Sequence, residues 1–224
     1  MFLELITQAP IMALAWLAVI LISITVHEFA HAWAGDRLGD HTAEQMGRLT
    51  LNPLAHIDPI GVIPLLLLGF GWAKPVPFNP YNLQDPKWDS VKIALAGPAS
   101  NLIVATLAAI VLRGLSTAGV IGDLNLLSFF LILLVIINLF LLFFNIIPIH
   151  PLDGSKLLDA LLVKPEHQKI RNAIATYGPR ALMFLILISI FTSISVFSFI
   201  STPAYMTCDA LVGESCTAVL MQVF

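Results

Sequence analysis

Apolar residues run through this chain in long blocks and do not alternate with polar ones. Between Asp123 and Asp153 there is no formally charged residue, and "LNLLSFFLILLVIINLFLLFFNIIP" fills most of that interval. A second charge-free run extends from Ala181 to Met206, and an earlier apolar run from Ile11 to Trp33. Each is long enough for a helix to cross a bilayer, which takes about 20 apolar residues. The stretch "VKIALAGPASNLIVATLAAIVL" holds Gly97, Pro98 and Asn101 yet still reads as a span, because neighbouring helices re-satisfy a backbone that Pro and Gly disturb. The pattern predicts an all-α multi-pass membrane protein of about four transmembrane helices, near 11–34, 92–112, 124–148 and 181–202.

Ile60 to Ala73, "IGVIPLLLLGFGWA", is apolar but short, and Gly61, Pro64, Gly69 and Gly71 interrupt it. Such a piece suits a re-entrant loop or a small β-hairpin better than a crossing. The alternating prolines of the following "KPVPFNP" favour extended backbone.

Composition sharpens this reading. Hydrophobic residues make up 58% of the 224 and charged residues 11%, against roughly 25% charged in a soluble domain. The expectation is one membrane-embedded domain over 1–224, with its core near 11–162 and a C-terminal span and tail over 181–224, and the lipid bilayer as its medium. The net charge of −3 gives no reason to expect a nucleic-acid partner. Glu4, the lack of Lys and Arg before the first apolar run, and the His and Glu at its end argue against a cleaved signal. Lys and Arg crowd two of the connections, from Arg37 to Lys92 and from Lys156 to Arg180, while Arg113 lies on the opposite side. The positive-inside rule then sets the termini outside and the end of the first span in the cytoplasm. Cys208 and Cys216, in the tail from Ser201 to Phe224, fall on the outer side, where a disulfide and two free thiols are both open.

Candidate chemistry sits at that cytoplasmic end. His27 and His31 in "HEFAH" are four residues apart, about 40° around a helix, so both imidazoles can reach one ion. Glu28 flanks them and suits a general base acting on water better than a ligand. A catalytic zinc site takes three protein ligands, and Asp153 is the expected third. It follows the third span in "NIIPIHPLDG", where Pro148 and Pro151 break the helix and Gly154 permits a tight turn. His150 in the same turn is the competitor; His41, His56 and His167 are weaker candidates.

HEFAH in a membrane helix, the embedded "GPASN" and the later "NIIPIHPLDG" together resemble the site-2 proteases, the intramembrane zinc metallopeptidases of peptidase family M50. "GRLTLNPLAHIDPIG" and "GWAKPVPFNP" resemble loops of the short members, which leave no room for a PDZ domain. The resemblance implies Zn2+ held by His27, His31 and Asp153, Glu28 as the catalytic residue, and a transmembrane protein as substrate. Asn101 and Asn145 lie in spans where an unpaired amide is costly. Each serves either an interhelical hydrogen bond or substrate contact. Pro75, Val76, Pro77 and Phe78 are expected to offer an extended edge that holds an unwound substrate by strand addition. The rival readings are a zinc transporter or sensor, disfavoured because the centres of the third and fourth spans lack ionisable groups, and a non-proteolytic scaffold, which His150 joining Asp153 in a closed site would favour.

Overall fold

The computed structural model describes residues 6–121, 125–192 and 194–221; Glu4, Asp123 and the last three residues of the tail lie outside the described residues. Among the described residues, four helices are long and apolar enough to cross a membrane: Pro10–Arg37, Pro86–Thr117, Leu126–Asn145 and Pro165–Phe191. Helix α1 (Pro10–Arg37) opens with Pro10 in its first turn and has Arg37 in its last, where a cation meets the negative end of the helix dipole. The short α2 (Thr42–Gln45) follows it.

The Ile60–Ala73 segment, where the sequence left loop and hairpin open, is helical as far as Leu68 and non-helical beyond it. Asp58 accepts a hydrogen bond from the Ile60 N–H and caps α3 (Pro59–Leu68). The chain then returns on itself, and a single antiparallel bridge joins Ile57 to Ala73. Pro64 is accommodated inside α3.

Helix α4 (Pro86–Thr117) starts ahead of the apolar stretch because Asp85 caps it, accepting from the Lys87 and Trp88 N–H groups. Its Ala105, Ala108 and Ala109 let α5 (Leu126–Asn145) come close, and Val19 of α1, Phe129 to Leu139 of α5, and Ala204, Cys208 and Val212 complete the main core.

Beyond α5 the chain turns into α6 (Gly154–Leu161) and then α7 (Gln168–Phe191). The expected fourth span at 181–202 is corrected. Helix α7 stops at Phe191, and a separate α8 (Ser198–Val212) continues. The Thr192 hydroxyl bonds back to Ile188 O and accepts from the Ile194 N–H, so side-chain bonding competes with the helix there. Helix α8 runs from the Asn145 end of α5, where Phe197 meets Phe144, to the far end of α4, where Arg113 donates to Leu211 O. The charge-free run is therefore shared by two helices. Cys208 is bonded to Cys216, which opens α9 (Cys216–Met221).

Candidate active site

Two elements deliver the three expected ligands to one point. His27 and His31 lie on one face of α1 and are buried. Asp153 is the residue that leads into α6. The turn before it folds tightly onto the end of α5: a Cβ at Gly154 would lie 2.5 Å from the Ile146 carbonyl carbon, so glycine is required there. His27 Nε2 is 3.0 Å from His31 Nε2, and Asp153 Oδ2 is 3.2 Å and 3.4 Å from the two. Tetrahedral zinc with ligands at about 2.0–2.1 Å sets neighbouring ligand atoms about 3.3 Å apart. The triangle fits the ion.

The protons point the same way. His31 Nδ1 donates to Ile93 O at 2.8 Å, and a carbonyl can only accept, so Nε2 is left with its lone pair. His27 Nδ1 meets Asn101 Oδ1 at 2.6 Å, which sets the same tautomer. Asp153 Oδ2 is buried and accepts no hydrogen bond. Three lone-pair atoms at 3.0–3.4 Å repel one another unless a cation lies between them. Gly97 of α4 provides the room, since a Cβ there would run into both imidazoles.

His150 is turned away from this triangle, its Nε2 being 3.2 Å from Asp159 Oδ2. Among the described residues, His27, His31 and Asp153 form a largely buried group that could hold a metal ion. A second cluster, Asp36, His41 and Glu44, is largely exposed. His56 is fully buried and structural: Nε2 donates to Thr50 O and Nδ1 faces Arg48 Nη2. His167 lies 3.6 Å from Glu166.

Glu28 is buried, and its Oε2 accepts the Val76 N–H at 3.1 Å. The extended segment thus lies directly on the expected base, and the Val76 donor is already engaged. Two residues outside the expected set hold that segment at its two ends. The buried Arg48 guanidinium donates to Pro75 O at 3.0 Å and Lys74 O at 2.5 Å. Asp40, also buried, accepts from the Asn79 N–H, the Asn82 amide and Thr42. No local pattern marks their hold on this segment, because the partners there lie 26 to 42 residues away. Phe78 packs near Ala34, Leu83 and Ile93, with Lys156 Nζ 5.5 Å from its ring centre. Asn101 is fully buried between His27 and Asn138, an interhelical role. Asn145 donates to Leu141 O on its own helix.

Comparison with known proteins agrees with this geometry. The sequence model of peptidase family M50 matches residues 15–124 and 119–189. The chain is 38% identical over 183 residues to "Putative zinc metalloprotease YwhC" of Bacillus subtilis, which covers 80% of this chain and 82% of that protein. It is 34% identical over 156 residues to "Putative zinc metalloprotease Rip2" of Mycolicibacterium smegmatis, with coverage of 66% and 57%. A Rip2 of Mycobacterium tuberculosis is 30% identical over 177 residues, with coverage of 75% and 63%. The chain spans less than two thirds of both Rip2 proteins. No solved structure matches the chain. With the family match extending over most of its length and including His27, His31 and Asp153, this integral membrane protein belongs to peptidase family M50.

Proposed function

We propose that the protein is a site-2-type intramembrane zinc metalloprotease that hydrolyses peptide bonds within or near transmembrane segments of membrane proteins. One observation carries the reading: His27, His31 and Asp153 converge three lone pairs beside Glu28, at the end of a membrane helix. These three residues hold the zinc. Zinc, when bound, polarises the scissile carbonyl and lowers the pKa of a water molecule towards neutrality.

Glu28 takes the proton from the attacking water and returns it to the leaving amine. Its bond from Val76 keeps the carboxylate beside the extended segment. Along an extended chain, residues two apart present backbone groups to the same side. Val76 and Phe78 therefore share the Glu28 side, while Arg48 and Asp40 hold Pro75 O and Asn79 N–H. Val76 C=O and the N–H and C=O of Phe78 are the groups offered to an unwound substrate strand. Pro75 and Pro77 protect this edge from unwanted pairing, and Asn145 adds a side-chain contact at the end of α5. Helix α3 and the return to Ala73 form a re-entrant element that brings the edge to the site.

The whole chain acts as one membrane-embedded domain, with both termini outside and the metal site near the cytoplasmic face. His150, paired with Asp159, leaves the donor set at three, which supports an open hydrolytic site over a closed structural one. The test compares wild type with Glu28→Gln for zinc content and for cleavage of a model transmembrane peptide. Zinc should be equal in the two. Cleavage should fall by about 10²–10⁴, the usual contribution of a general base. A variant that turns over like wild type would remove Glu28 from the mechanism, and a metal-free wild type would refute the zinc reading.

A further inference from the structure

The polar chain that begins at His27 continues beyond Asn101. Asn101 Nδ2 donates to Asn138 Oδ1 at 2.8 Å. Asn138 Nδ2 donates in turn to Leu134 O at 2.7 Å and to Ser23 Oγ at 2.8 Å, and Ser23 Oγ donates to Val19 O at 2.7 Å. Ser23, Asn101 and Asn138 are all fully buried, on α1, α4 and α5 respectively.

An amide presents a donor at one end and an acceptor at the other, and its neighbours decide which way it faces. Here the decision starts at two backbone carbonyls, which can only accept. Leu134 O claims the nitrogen end of Asn138. Val19 O takes the only hydroxyl proton of Ser23, so Ser23 Oγ can serve Asn138 only as an acceptor. Both anchors turn Asn138 Oδ1 towards α4. Asn101 must then meet it with Nδ2, which turns Asn101 Oδ1 towards His27. That oxygen accepts, so His27 carries its proton on Nδ1. Its Nε2 is left free to face His31 and Asp153.

We infer that Asn138 and Ser23 are positioning residues which, through Asn101, fix the tautomer of His27 and so aim its Nε2 lone pair at the metal. The inference rests on the zinc reading above. It extends the ligand set inwards by two residues that touch neither the metal nor the substrate. An interhelical role alone would need the hydrogen bonds but not their direction, and the direction is what can be tested.

The test uses the full chain in detergent or nanodiscs. It reads zinc affinity by chelator competition, and the 15N spectrum of labelled His27 in the zinc-free protein. Asn138→Leu keeps the volume but leaves Asn101 free to flip. Its zinc affinity should drop about tenfold or more, as for other outer partners of metal-bound histidines, and the Nδ1 signal should lose its single protonated form. Asn138→Asp, which as the protonated acid donates to Leu134 O, keeps an acceptor oxygen towards Asn101 and should retain both. Ser23→Ala removes one anchor of two and should shift zinc affinity less than Asn138→Leu does. If Asn138→Leu does not insert, Asn138→Ala gives the same readouts with added space in place of bulk. A wild-type Nδ1 signal together with wild-type zinc affinity in the Leu or Ala variant would overturn the inference, as would equal losses in Asn138→Asp and Asn138→Leu. A wild type that binds no zinc, or binds it without His27, would instead refute the underlying zinc reading.

Discussion

Gly97→Ala tests the metal site with a single methyl group. A Cβ at that position would lie 2.5 Å from His31 Cε1 and 2.6 Å from His27 Cε1, where ordinary contact begins at 3.4 Å. With His31 Nε2 nearer still, the shortfall reaches about 1.0 Å, so the imidazoles or the whole of α4 must retreat by that much. Zinc sites hold their ligand distances within about 0.2 Å, and a 1 Å misplacement of reacting groups costs turnover about a hundredfold. Zinc affinity should therefore fall at least about tenfold, and cleavage further. Gly114→Ala, on the same helix, is the control: nothing lies within 4 Å of a Cβ there, and an exposed helical Gly→Ala stabilises by about 0.5–1 kcal/mol. The assay is chelator competition for zinc, alongside cleavage of a membrane peptide, on both variants. If Gly97→Ala binds zinc like wild type, α4 does not confine the two histidines and the reasoning fails.

Asp153→Ala should lose zinc while His150→Ala keeps it, by metal analysis; the reverse would exchange the third ligand. Phe78→Pro removes a backbone donor at the free edge and should impair cleavage of a helical membrane substrate more than that of an unfolded peptide, with zinc content unchanged. Val76→Pro removes the donor to Glu28 and should slow both substrates. Burial pushes the Asp40 carboxyl up, but hydrogen bonds from Thr42, Asn79 and Asn82 outweigh it and hold the group below its ordinary value. Its contribution is then complete above the unfolded value, near pH 3.9, and is lost as pH falls through the folded one. Asp40→Asn should cost about 1.5–3 kcal/mol at neutral pH and flatten the acid limb of stability, measured by unfolding in detergent.

Hydropathy made α5 legible almost to its ends, because nothing charged interrupts it. It made α4 legible in its apolar part only, since the start at Pro86 depends on the cap from Asp85. The break after Phe191 was hidden, because Thr192 is apolar enough to pass in a hydropathy window while its hydroxyl rewires the local backbone. At the site, the spacing of His27 and His31 follows from helix geometry and the turn at Asp153 from its prolines. Asn138 carried a weaker signal: a lone amide inside an apolar run demands a partner without saying which. Arg48 and Asp40 gave none, since a polar loop residue looks solvated until the chain brings Pro75 and Asn79 to it.

The bond from the Val76 N–H to Glu28 joins the edge proposed to seat a substrate to the proposed general base. A chain that fits poorly along Val76 to Phe78 disturbs that carboxylate, so the penalty for a poor fit falls on kcat more than on KM. Membrane segments confined to one bilayer are crowded, and competing segments are cut in the ratio of their kcat/KM values at any density. A loss in kcat lowers that ratio without emptying the site. The protease can therefore be occupied by many helices and still cut few of them.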